Sequence, residues 1–124
     1  MAHRILVVDD NPINLKLACD ILELEGYEIY RAMNAGEALN ALSLVIPDLI
    51  LMDIELPGMD GLTLTRKLKG DQSTSKIIIV ALTAFAMKGD EQRAFDAGCD
   101  GYISKPIDTR KLPLRVAELL GKSS

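Results

Sequence analysis

Apolar positions along this chain follow two rhythms. In the first they are continuous over strand-length runs: residues 5–8 (Ile-Leu-Val-Val), 49–52 (Leu-Ile-Leu-Met) and 77–82 (Ile-Ile-Ile-Val-Ala-Leu). Such short runs, rich in β-branched residues and apolar at every position, fit strands covered on both faces. Residues 27–32 form a more mixed second strand, in which Arg31 points to a sheet edge, and 101–104 form a short fifth. In the second rhythm the apolar positions recur every three or four residues. Leu15, Leu17, Ala18, Ile21, Leu22 and Leu24 follow Asn11-Pro12, a cap and a proline suited to the first helical position, and Gly26 closes that helix. Asn34 with Glu37 three residues later opens a second helix in the manner of a capping box, running to about Val45.

Three more helices are expected, over about 59–69, about 88–97 with Gly98 as its stop, and from Asp108 as cap to about Leu120. The stretch 84–89 opens the fourth helix irregularly. Pro113 stands inside the fifth, so that helix either begins late, near Leu112, or is kinked in its first turns. Glu55-Leu56-Pro57-Gly58 and residues 70–75 read as connections, and residues 121–124 as a tail.

Five strands alternating with five helices specify an α/β domain with a parallel sheet covered on both faces. The simplest arrangement is a doubly wound, flavodoxin-like five-stranded sheet of order 2-1-3-4-5. One domain accounts for all 124 residues. The composition, 48% hydrophobic with only 4% aromatic and no Trp, fills an aliphatic core.

Charge narrows the function. A formal net charge of −4 argues against a nucleic-acid surface, which needs clustered Lys and Arg. No apolar stretch approaches the ~20 residues of a membrane span, and none resembles a signal peptide. Cys19 and Cys99 have no metal-like spacing and read as free, buried thiols of a reducing cytoplasm, where the domain is expected.

The chemistry collects at strand ends. In the order 2-1-3-4-5, strands 1, 3, 4 and 5 are neighbours, and polar residues directly follow their apolar runs: Asp9 and Asp10, Asp53, Thr83 and Lys105. Ligands of open α/β sheets bind at this edge. Three carboxylates brought together repel and call for a cation. With oxygen donors only and no His or Cys among them, Mg²⁺ is the natural guest and Mn²⁺ a substitute. Lys105 offers a point positive charge and Thr83 a hydroxyl to a phosphoryl oxygen. Asp53, central, can act as nucleophile and form an acyl phosphate.

Each residue alone has a plainer reading: Asp9, Asp10 and Asp53 as loop or cap residues, Thr83 as a helix cap, Lys105 as surface. Convergence of all of them favours a site. His3, the only histidine, precedes the first strand and is expected in solvent, and Cys99 has no histidine to activate it. Arg66-Lys67-Leu68-Lys69 reads as a solvated helix face.

Ile-Leu-Val-Val-Asp-Asp-Asn, Asp-Leu-Ile-Leu-Met-Asp followed by Pro-Gly-Met-Asp-Gly, Ala-Leu-Thr-Ala and Tyr-Ile-Ser-Lys-Pro together resemble the receiver domain of two-component response regulators, over essentially the whole chain. The segments around Ala-Leu-Thr-Ala and Gly-Cys-Asp-Gly-Tyr are similar to those of DivK-type single-domain regulators and of hybrid-kinase receivers. The resemblance implies that Asp53 is the phosphoacceptor. Asp10, Asp53 and the backbone carbonyl of Glu55 would hold Mg²⁺, with Asp9 acting mainly through metal-bound water. Thr83, Ala84 and Lys105 would bind the phosphoryl group. Thr83 and Tyr102 would form the switch, and Pro106 would follow a cis peptide.

The implied partners are a sensor histidine kinase or histidine phosphotransfer protein upstream and a protein target downstream, met through the face of helix 4, strand 5 and helix 5, with neither nucleic acid nor membrane. The expected organisation is a single receiver domain over 1–124 with no output domain. It would catalyse only its own phosphorylation and dephosphorylation. Glu55 and Phe85, each two residues beyond a site residue, are poorly suited to position an attacking water, so a long-lived acyl phosphate is expected. A haloacid-dehalogenase-like phosphatase is the rival reading, because it too uses a nucleophilic Asp, a Ser or Thr, a Lys and Mg²⁺. Its paired acids would stand on the first strand, though, and there is no room for a substrate cap. A flavin or nucleotide carrier fails on the first loop, which is acidic and lacks glycines.

Overall fold

A computed structural model describes residues 3–56, 58–83 and 89–122. It contains β1 (Arg4–Val8), α1 (Pro12–Leu24), β2 (Glu28–Ala32), α2 (Ala35–Leu44), β3 (Leu49–Asp53), α3 (Gly61–Lys69), β4 (Ile78–Thr83), α4 (Asp90–Ala97), β5 (Gly101–Ser104) and α5 (Lys111–Lys122). The strands form one parallel sheet of order β2-β1-β3-β4-β5, as the sequence pattern predicts. β3 and β4 are buried at every position, which is why their sequences are unbroken apolar runs. Arg31 lies on the edge strand β2.

Alternation along the strands divides the core in two. Leu6, Val8, Ile50, Met52, Ile79 and Ala81 pack against α2, α3 and α4 through Ala38, Leu42, Leu64, Leu68 and Ala94. Ile5, Val7, Leu49, Leu51, Val80 and Leu82 pack against α1 and α5 through Ala18, Leu22, Leu112, Val116 and Leu119.

Helix boundaries follow their caps. Asn11 Oδ1 accepts hydrogen bonds from Ile13 N and Asn14 N, with Pro12 next in line as expected. Asn34 Oδ1 accepts from Glu37 N at 2.8 Å, but the Glu37 carboxylate accepts from Met33 N rather than from the cap residue itself. Gly26 (φ 90°) and Gly98 (φ 108°) turn left-handed where α1 and α4 end, a conformation side chains resist.

Two expectations are corrected, and one open alternative is resolved. Helix α3 begins at Gly61, not near residue 59, because the Asp60 side chain caps it by accepting from Thr63 N at 2.8 Å. Of the two alternatives for Pro113, the late start is the one observed. Asp108 accepts from Arg110 N and Lys111 N, α5 starts at Lys111, and Pro113 falls in a first turn whose N–H groups lack intrahelical partners anyway.

Lys69 is not part of a solvated face. Its ammonium donates to Ile77 O at 2.7 Å and Asp100 Oδ2 at 2.8 Å. Asp100 Oδ2 also accepts from Ile79 N, so Lys69 clamps the end of α3 to the start of β4. Cys19 and Cys99 are free and buried, as expected, and burial pushes each thiol up to about 11.

Candidate functional site

The carboxyl edge of the sheet gathers the predicted groups. β1 delivers Asp9, whose backbone N–H donates to Ala32 O on the edge strand. β3 delivers Asp53, and the next residue, Ile54, donates its N–H to Leu82 O of β4 at 3.1 Å. Thr83 ends β4 opposite Ser104 of β5, and Lys105 follows β5 directly. The Lys105 N–H donates to Thr83 O at 2.7 Å. Asp9, Asp53 and Thr83 are essentially inaccessible to water, whereas Asp10 is exposed.

The two buried aspartates are held alike. Asp9 Oδ1 accepts from Asn11 N, and Asp53 Oδ1 accepts from Glu55 N, both at 2.9 Å. One oxygen of each carboxylate is thus fixed by its own chain two residues on, in an Asx turn. The other oxygen of each faces the same cation: Lys105 Nζ lies 3.0 Å from Asp53 Oδ2 and 3.3 Å from Asp9 Oδ2.

The charges do not balance. Burial, and after it the neighbouring Asp53 charge, raises the pKa of Asp9 above the usual carboxylate value, although the Asn11 N–H and Lys105 pull the other way. Burial works against the Lys105 charge, but Asp53 and Asp9 outweigh it and hold the ammonium above its ordinary pKa. The Asp9 Oδ2 contact is an ion pair without hydrogen-bond geometry. Among the described residues, that oxygen is the buried side-chain atom left without a hydrogen-bond partner.

Donor atoms of Asp9, Asp10 and Asp53 come within 4.8 Å of one another. An orphaned carboxylate oxygen inside an all-oxygen cluster is what a hard divalent cation such as Mg²⁺ completes. The residues therefore fit the metal that the sequence implies.

The other predicted residues fall as follows. Glu55 is exposed beside the cluster. Tyr102 is half-buried on β5, opposite Ala81. The Lys105-Pro106 peptide is cis, as expected. Ala84 and Phe85, with the rest of 84–88 in the irregular opening of the fourth helix, lie outside the described residues, as does Pro57, while Gly89 stands at the cap of α4. His3 is exposed at the opposite edge, its Nδ1 3.5 Å from Asp48 Oδ2, and takes no part in the site. The sequence reading missed Asp60, although an Asp directly before a helical apolar pattern is an ordinary capping signal.

Such a fold with such an edge defines a class of protein, and residues 5–117 match the family of response regulator receiver domains. The chain belongs to that family. It is 46% identical over 121 residues to the polar-differentiation response regulator DivK of Brucella anthropi, a match covering 98% of both. Among solved structures it resembles the CheY-like response regulator receiver domain protein of Methanospirillum hungatei (TM-score 0.90, 34% identity, 99% of this chain and 97% of that one). The receiver domain of a signal transduction histidine kinase from Syntrophus aciditrophicus is similarly close (TM-score 0.89, 37% identity, 98% of this chain and 92% of that one).

No helix among the described residues is long and apolar enough to cross a membrane.

Proposed function

We propose that this chain is a single-domain response regulator of the cytoplasm that accepts a phosphoryl group on Asp53. The observation that carries this reading is the pair of anchored aspartates turning their second oxygens to Lys105, with Asp9 Oδ2 lacking a hydrogen-bond partner. The donor is a phosphohistidine of a sensor kinase or phosphotransfer protein. A carboxylate oxygen of Asp53 forms the new P–O bond while the P–N bond breaks, and the imidazole leaves with the electron pair. Asp10, Asp53 and the Glu55 carbonyl would hold Mg²⁺, with Asp9 acting through its water. When bound, the metal neutralises the negative charge that builds up between acceptor and phosphoryl group.

The protein's own groups do the rest. Asn11 N–H and Glu55 N–H fix the carboxylates, and Lys105 and Thr83, with Ala84 beside it, take up phosphoryl oxygens. Before transfer Lys105 neutralises Asp53, and afterwards its charge-assisted bond can pass to the phosphate. Thr83 moving toward the phosphoryl group makes room for half-buried Tyr102. The surface formed by α4, β5 and α5 then presents a different face to a downstream protein.

The reading is tested by labelling with acetyl phosphate and Mg²⁺. Stoichiometric label on the wild type, none on a folded Asp53→Asn variant, and negligible turnover of generic phosphomonoesters are expected. Persistent stoichiometric label at another residue would overturn the assignment. Multiple turnover of phosphomonoesters would favour a haloacid-dehalogenase-like phosphatase, which the family match does not.

A further inference from the structure

The first residue of α3 lies against the backbone that carries Asp53. A Cβ built on Gly61 would fall on the carbonyl oxygen of Asp53, 2.7 Å from Ile54 Cα and 2.9 Å from Asp53 C. These are backbone atoms, which cannot rotate aside as a side-chain tip can. The contact is also bonded, since Gly61 N donates to Ile54 O at 3.3 Å. On the other side, Ile54 N, in the peptide group whose carbonyl is Asp53 O, donates to Leu82 O. The segment Asp53-Ile54-Glu55 is therefore gripped between β4 on one side and the start of α3 on the other.

The grip is reinforced from within α3. Thr65, fully buried, donates its hydroxyl hydrogen bond to Gly61 O at 2.7 Å. Asp60 caps the same turn through Thr63 N. The gripped segment supplies Asp53 itself and the Glu55 N–H that fixes Asp53 Oδ1. A side chain at position 61 would push the two backbones apart and carry the carboxylate away from Lys105 and Asp9.

We propose that Gly61 is a positioning residue for Asp53, with Thr65 as its brace: the absence of a side chain at 61 sets the placement of the acceptor carboxylate and of the metal cluster it shares. This rests on the reading of Asp53 as phosphoacceptor. Displacement of an acceptor by about 1 Å is enough to cost phosphoryl transfer on the order of 100-fold.

The control is Gly98, where a Cβ would come 2.9 Å from Lys69 Cγ at the other end of α3, about 12 Å along the helix axis. Gly61→Ala, Thr65→Val, Thr65→Ser and Gly98→Ala are compared with the wild type at a temperature where each is folded. The readouts are Mg²⁺ affinity, the rate of Asp53 labelling by acetyl phosphate, and hydrogen-exchange protection of the Ile54 and Glu55 amides in metal-free protein. Gly61→Ala is expected to weaken Mg²⁺ binding and slow labelling, each by about tenfold or more, and to lose protection at Glu55. Gly98→Ala is expected to lower Tm and leave all three readouts at wild-type values.

Gly61→Ala values within about twofold of wild type for binding and labelling overturn the proposal. If Gly61→Ala does not fold, the Thr65 pair decides. Thr65→Val should lose affinity and protection where Thr65→Ser keeps them, and equality of both with wild type overturns the proposal. Absence of label on wild-type Asp53, with Glu55 protection still lost in Gly61→Ala, would sink the phosphoacceptor reading and leave the positioning intact.

Discussion

Lys105 Nζ sits 3.0 Å from Asp53 Oδ2, and the ammonium is mostly shielded from water, its side chain 14% exposed. Lys105→Met removes the cation and leaves Asp53 and Asp9 facing one another. The expected loss is about 1–3 kcal/mol in metal-free protein, below the figure for a fully buried pair because the lysine keeps some solvent contact. Mg²⁺ should recover more stability in the variant than in the wild type. Urea titrations with and without Mg²⁺ check this, and an unchanged midpoint in the absence of metal would contradict it.

Asp9→Asn should have the opposite sign. The amide oxygen can still accept from Asn11 N, while the buried charge that repels Asp53 is gone. Metal-free protein is expected to gain on the order of 1–2 kcal/mol, and the stabilisation by Mg²⁺ to shrink. Thermal melts across a Mg²⁺ series would show both effects.

The raised pKa of Asp9 gives a pH signature. The folded protein keeps a proton on Asp9 to a higher pH than the unfolded chain, whose value is near 3.8. Between those two values the unfolded state binds fewer protons, so this group makes metal-free stability fall as pH rises. Mg²⁺ competes with the same proton, and its affinity should climb over the same window. Lys105 contributes at neutral pH and loses its contribution only as pH rises beyond 10.5. Calorimetric Mg²⁺ titration against pH checks the first effect, and Asp9→Asn should flatten it.

Lys69→Met separates fold from function. The stem over Gly98 remains, but the bonds to Ile77 O and Asp100 are lost. A cost of about 1–2 kcal/mol is expected, with labelling of Asp53 unchanged. Chemical denaturation and acetyl phosphate labelling of one preparation measure the two.

The acyl phosphate should persist well beyond seconds. Glu55, exposed two residues beyond Asp53, is poorly suited to position an attacking water. Decay of label after donor removal, in Mg²⁺, checks the expectation, and loss within seconds would refute it.

What the sequence made legible follows from what is local or repeated. β3 and β4 are buried at every position, so their apolar runs announce them and fix the sheet's centre. Asn11 and Asn34 cap through side chains within three residues, so their helices are visible too. The site was legible because strand order brings four strand ends together. Lys69 was hidden because its carboxylate partner is 31 residues away and its other acceptors are backbone carbonyls, which carry no residue signature. Pro113 was ambiguous because a proline breaks or begins a helix according to where the cap lies, and Asp108 decides that only through its bonds to Arg110 and Lys111. The tight approach of Gly61 to Asp53 is likewise a matter of two backbones meeting in space.

The hydrogen bond from Lys105 N to Thr83 O ties the proposed phosphate-reading residues together at the backbone. Fingers on separate loops could each report their own degree of engagement and so encode intermediate values. Here the two residues share a 2.7 Å backbone link, through which a pull on one would reach the other. If Asp53 is phosphorylated as proposed, such a domain would send one bit, with gradation arising from how many molecules are switched rather than how far each one is.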